Sequence, residues 1–146
     1  MKQMIENWDG GNMVATMNVE DKDTSSYGII TPGKIIRDKI EVCDIVEKPK
    51  PKNAPSNIAV VGRYIIQPSV FEDLALQKKG TNDEIQLTDS LSSQIGKAPF
   101  FAYNFTGTRY DCGTKIGFTK ANTNFAIKDD EIGKEYNDWL SSLLKN

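Results

Sequence analysis

Apolar positions along the chain fall alternately into short β-type runs and helix-spaced stretches. Met13 to Val19 is an apolar run entered through the turn residues Asp9-Gly10-Gly11-Asn12, and it predicts a strand. Lys2 to Trp8 before it reads as the end of a helix, which leads one to expect further chain upstream. Glu20 to Ser26 is polar and loop-like, Tyr27 to Ile30 is extended, and Thr31-Pro32-Gly33-Lys34 has turn chemistry. Ile35 to Val46 predicts two short strands or a bent hairpin arm, and Pro49 and Pro51 hold its exit extended and stop further pairing.

Asn57 to Ile66 is the clearest strand, rich in β-branched residues, with Gly62 set inside it. Pro68 fits the first turn of a helix running to about Lys79 and closed by Gly80. Thr88-Asp89 is placed to cap a helix through Ile95, ended by Gly96, and Pro99 to Phe105 alternates like a half-buried strand. Thr114 to Ile127 predicts an amphipathic helix, and Asp129 or Asp130 caps a last one through Leu144. Strands alternating with helices give an α/β fold, read as one domain over 1–146 with a C-terminal helix in 128–146.

Charge and composition narrow the chemistry. A length of 146 residues, 38% of them hydrophobic and 26% charged, suits a globular domain with its own core. A net charge of -2 argues against a nucleic-acid partner, which calls for a basic surplus. No apolar run approaches the about 20 residues of a membrane helix, and the first residues lack the pattern of a signal peptide. Cys43 and Cys112 stand far apart without histidine, so neither a zinc site nor a disulfide framework is expected, and a reducing cytoplasm is the natural setting. With no histidine in the chain, chemistry must run on carboxylates, lysine, arginine, backbone amides and bound metal. That favours phosphoryl or nucleotidyl transfer, which depends on positioning and charge stabilisation.

Three stretches can carry such chemistry, and each also has a plainer reading. Val46-Glu47-Lys48-Pro49 is either solvent-facing decoration or a proline-fixed strand exit, with Glu47 accepting sugar hydroxyls and Lys48 meeting a phosphate. Gly62, within Pro55 to Tyr64, marks either an ordinary bulge or a close ligand approach. In Arg109-Tyr110-Asp111-Cys112-Gly113-Thr114-Lys115, Asp111 either caps the next helix or is a hard oxygen ligand for magnesium, with helix N–H groups and Lys115 near phosphate.

Together with Tyr27-Gly28-Ile29 and Asp83-Glu84-Ile85-Gln86-Leu87-Thr88-Asp89, these stretches resemble the bacterial UTP–glucose-1-phosphate uridylyltransferases, from Met1 to about Ala126. Glu-Lys-Pro is shared by many sugar nucleotidyltransferases. Glu-Ile-Gln-Leu-Thr-Asp and Tyr-Asp-Cys-Gly-Thr-Lys are more typical of the uridylyltransferase branch. The resemblance implies a Rossmann-like mixed sheet with flanking helices, a magnesium cofactor, and dimers or tetramers. It implies a reaction of UTP with glucose 1-phosphate to UDP-glucose and pyrophosphate, by in-line attack of the sugar phosphate on the α-phosphorus.

Position by position, the resemblance implies that Glu47 binds glucose hydroxyls and that Lys48 is the catalytic cation at the phosphate. Gly28 and Gly62 would admit the sugar ring, Asp111 would be a metal-site carboxylate, and Asp89 and Glu84 would brace loops. The family's glycine-rich Gly-x-Gly-Thr-Arg loop and an upstream magnesium aspartate have no counterpart; Gly107-Thr108-Arg109 is only an echo. The chain therefore reads as the C-terminal, sugar-phosphate-binding half, without the nucleotide-binding half and inactive or nearly so alone. The competing readings are a non-catalytic sugar-phosphate- or partner-binding module and one subunit of a split enzyme.

Overall fold

The structure, a computed structural model, describes residues 1–76 and 85–143. The chain divides into two compact units, Met1–Phe105 and Thr106–Asn146. The division follows the last strand, at Thr106-Gly107-Thr108, where Gly107 takes a φ of 147°.

The first unit opens with the short helix α1 (Lys2–Glu6), and its described residues hold five strands: β1 (Asn12–Asn18), β2 (Gly28–Ile36), β3 (Lys39–Glu47), β4 (Ile58–Ile65) and β5 (Phe100–Asn104). Helices α2 (Pro68–Leu76) and α3 (Leu87–Ser93) lie between β4 and β5. The sheet is mixed, as expected: β1 runs parallel to β5 and antiparallel to β4, and the other pairings are antiparallel. Its order, β1-β4-β2-β3-β5, closes back on β1 as a ring rather than lying open. The β2–β4 seam is thin, a single ladder pair at Ile29↔Ala59.

Side-chain alternation along β1 and β5 builds two apolar layers. Val14, Ile30, Val42, Ile45, Val60, Phe100 and Ala102 pack with Val70 of α2 and Leu91 of α3. On the opposite side Met13 and Ala15 pack with Met4 of α1, backed by Phe101 and Tyr103. Because β1 has neighbours on both edges and both faces, its first five residues are all buried. This is why it reads as an unbroken apolar run instead of an alternating one.

Two expectations are corrected here. Thr31-Pro32-Gly33-Lys34 is not a turn: it lies inside β2, where register shifts on both sides of Pro32 absorb the missing donor. A Cβ on Gly33 would meet Cys43 Sγ at 2.7 Å, so that glycine serves close strand approach. The reversal falls instead at Arg37-Asp38, between the pair Ile36↔Lys39, with Arg37 at a φ of 56°. Likewise Glu20 to Ser26, expected as loop, winds into a 3-10 turn over Asp21–Ser26 with Thr24 buried.

The second unit holds α4 (Lys115–Ile127) and α5 (Gly133–Leu143). Asp129 Oδ1 accepts from the N–H groups of Glu131 and Ile132, forming the turn that leads into α5. Of the predicted amphipathic face of α4 only Ala121 is buried; Ile116, Phe118 and Phe125 are exposed. The predicted helix ends at Lys79, Gly80 and Leu144 lie outside the described residues. Among the described residues no helix is long and apolar enough to cross a membrane.

Candidate functional site

The exit of β3 is fixed by the ladder behind it and the proline ahead of it. Gly28 and Glu47 are cross-strand partners, and the Lys48 N–H extends the ladder by one more step, donating to Tyr27 O at 3.0 Å. Pro49 is buried and its ring restricts the backbone of the residue before it. Between these constraints Lys48 takes a φ of 44°, in the left-handed region that a lysine rarely occupies. Such strain persists only where the surroundings over-determine it, and it gathers at functional sites.

The consequence is a charged pair whose acidic member has a second partner and whose basic member is largely exposed. The Glu47 side chain is 33% exposed and that of Lys48 63%, and Lys48 Nζ stands 3.7 Å from Glu47 Oε1. Glu47 Oε2 accepts a hydrogen bond of 2.7 Å from Thr88 Oγ1, a residue of α3. The same oxygen would lie 3.2 Å from a Cβ on Gly28, so a glycine there leaves the carboxylate its place. Burial first, and then the negative charge of Glu47, raise the Tyr64 hydroxyl above its ordinary pKa of 10.0. The pair thus offers a hydrogen-bonded acceptor beside an exposed point charge.

Gly62 sits in a bulge of β4. Val14 pairs with Tyr64 and Thr16 with Val60, so Val61, Gly62 and Arg63 stand opposite Ala15 alone. Gly62 takes a φ of 70°, and a Cβ there would meet nothing within 4 Å. The bulge reading of this glycine therefore holds, and the space above it is open.

Asp111, in the second unit, does not cap α4. Thr114 does, its Oγ1 accepting from Gly117 N at 3.1 Å. Asp111 Oδ1 instead accepts from Gly113 N at 3.1 Å, and its carbonyl accepts from Thr114 Oγ1 at 3.0 Å. Gly117 is required by this loop, since a Cβ there would sit 2.0 Å from Asp111 O. Among the described residues no group of three or more His, Cys, Asp or Glu side chains is arranged to hold a metal. A magnesium ion that takes most of its shell from phosphate and water needs only one or two carboxylates, and the exposed Asp111 fits that mode.

The structure thus brings Gly28, Glu47 and Lys48 together on β2 and β3, with Tyr64 near by. Sequence reasoning missed Thr88, which it assigned to capping. The cap position of α3 belongs to Gln86, and Thr88 lies within the helix, free to reach across to Glu47. A hydroxyl inside a helix's first turn, in a motif already singled out, was the available signal. Asp89 N bonds to Gln86 O within the same turn, while Glu84 lies outside the described residues.

Comparison with known proteins decides the family. The family model for nucleotidyl transferases matches residues 1–127. The chain belongs to the nucleotidyl transferase family. A UTP–glucose-1-phosphate uridylyltransferase of Staphylococcus epidermidis is 37% identical over 145 residues, covering 98% of this chain and 50% of that protein. A second, from Staphylococcus saprophyticus, is 39% identical over 148 residues, covering 100% of this chain and 51% of the relative.

Among solved structures, a UDP-glucose pyrophosphorylase complexed with UDP-glucose superposes with a TM-score of 0.79 and 40% identity, over 88% of this chain and 49% of that one. A UTP-bound homologue from Acinetobacter baumannii gives a TM-score of 0.81 at 29% identity, over 97% of this chain and 49% of that one. This nucleotidyl transferase chain spans about half the length of the curated relatives it matches.

Proposed function

We propose that the chain is the sugar-phosphate-binding, C-terminal half of a UTP–glucose-1-phosphate uridylyltransferase. The observation that carries this reading is the Glu47–Lys48 pair, held by a ladder step, a buried proline and a strained φ at the exit of β3. In the proposed reaction an oxygen of the glucose 1-phosphate phosphate bonds to the α-phosphorus of UTP. The bond to the bridging oxygen breaks, and pyrophosphate leaves with that oxygen. Glu47 accepts hydrogen bonds from glucose hydroxyls, fixing the ring. Gly28 keeps that carboxylate in place, and the open face of Gly62 admits the sugar.

Lys48 is the catalytic cation: its ammonium, on a flexible stem, neutralises the phosphate that approaches UTP. Asp111, in the second unit, would hold magnesium, and the chemistry that ion supplies when bound is neutralisation of phosphate charge. The larger Rossmann-like sheet, the uracil pocket and the glycine-rich loop would belong to the rest of the protein, a cytoplasmic enzyme acting as a homo-oligomer. The absence of a Gly-x-Gly-Thr-Arg motif within the chain supports this division of labour.

Calorimetric titration of the 146-residue chain with α-D-glucose 1-phosphate tests the reading. Saturable binding that weakens at least about tenfold in Lys48→Ala is expected, about 1.4 kcal/mol for the lost charge-assisted contact. Absence of binding by the unaltered chain, or equal binding by the variant, would remove the assignment.

A further inference from the structure

The Glu47 carboxylate has two oxygens with different surroundings. Oε2 receives the Thr88 hydroxyl at 2.7 Å and faces Gly28, whereas Oε1 looks toward Lys48 Nζ at 3.7 Å. Thr88 comes from α3, 41 residues away in sequence and on the opposite side of the α2 segment. α3 itself is anchored by Leu91, buried in the core against the strands, and by Ser92 Oγ, which donates to Asp44 Oδ1 of β3 at 2.9 Å. The hydroxyl that meets Glu47 is therefore presented by an element bonded to the same strand.

An unrestrained glutamate side chain has three rotatable bonds and loses much of that freedom when it binds a ligand, a cost that pre-fixing removes. We propose that Thr88 is a positioning residue for the sugar site: its hydroxyl pins Oε2 of Glu47, so that Oε1 is presented in one orientation to the hydroxyls of a hexose 1-phosphate. This rests on the assignment of Glu47 to the sugar, and it adds a residue from a separate helix. Thr88 acts through Glu47, so its effect vanishes when the carboxylate is gone.

A double-mutant cycle on the full chain tests this, with α-D-glucose 1-phosphate as the probe and dissociation constants from calorimetry. Thr88→Val, equal in shape and without the donor, should weaken binding about tenfold, equivalent to about 1.4 kcal/mol. Thr88→Ser, which restores the hydroxyl, should return it to within about twofold of the parent. In a Glu47→Ala background, Thr88→Val should change affinity by less than about twofold.

A purely structural role predicts otherwise: equal losses in both backgrounds, tracking a lowered unfolding midpoint, with no rescue by serine, and that pattern overturns the proposal. If Thr88→Val does not fold, failure of Thr88→Ser to match the parent overturns it as well. If the parent binds, Glu47→Ala weakens it and Thr88→Val does nothing, Thr88 is wrong and the sugar site stands. If the parent does not bind, or Glu47→Ala binds like the parent, both fall.

Discussion

The left-handed backbone at Lys48 makes a prediction that separates stability from binding. With φ at 44°, a residue bearing a Cβ carries about 1–2 kcal/mol of steric cost. Glycine at the same place carries none, although it loses about 0.5–1 kcal/mol relative to alanine through the extra freedom of the unfolded chain. Lys48→Ala and Lys48→Gly both delete the same side chain, so its contacts cancel in the comparison. Those contacts are small in any case, since the ammonium is largely exposed and 3.7 Å from its partner. What remains is the backbone term, which leaves Lys48→Gly more stable than Lys48→Ala by about 0–1.5 kcal/mol, centred on about 0.75 kcal/mol. At an ordinary strand position the order is the reverse.

Urea unfolding reads this directly, with free energies from linear extrapolation. Trp8 lies in the first unit and Trp139 in the second, so a Trp139→Phe background lets fluorescence report the unit that contains residue 48. Both variants should lose glucose 1-phosphate binding to the same extent, because both lack the ammonium. Alanine exceeding glycine in stability would refute the claim that β3's exit is strained. Parent-like sugar-phosphate binding by the glycine variant would refute the phosphate role instead.

Two further outcomes follow from charges elsewhere in the first unit. Lys39 is buried, paired with Asp9 and 4.7 Å over the Phe101 ring, so Asp9→Asn should lower the urea midpoint more than Lys39→Met does; the opposite order would show that the ammonium is solvated. Hydrogen bonds from Ser93, then Gln94, hold the Asp73 carboxyl below its ordinary value of 3.8. A depressed carboxylate stabilises the fold above its unfolded pKa and loses that contribution as pH falls through its folded one. Ser93→Ala should therefore shrink the loss of stability on acidification below pH 3.8, measured by urea midpoints across that range, and an unchanged acid slope would count against it.

What the sequence disclosed and what it withheld divide along the range of the interactions involved. The strand of β4, the helix opening at Pro68 and the proline-locked exit after Glu47 depend on neighbouring residues, and the patterns there were sufficient. The β2–β3 reversal was misplaced because Thr-Pro-Gly-Lys has turn chemistry. The register with β3 absorbs it as bulges, and the true turn at Arg37-Asp38 carries neither glycine nor asparagine.

Lys39 was illegible as an interior residue, since its burial depends on Asp9, 30 positions earlier, and on a ring of β5. The same holds inside the candidate site. Glu47 and Lys48 were visible as a motif, but only closure of the chain shows that the two carboxylate oxygens are unlike, one pinned by α3 and one facing Lys48. A motif names the groups that can react, while the distant hydroxyl that orients them is fixed by the sheet and helix that carry it. The place to look for unassigned site residues in such a chain is therefore the second motif, whose hydroxyl lies inside its helix and bonds the first.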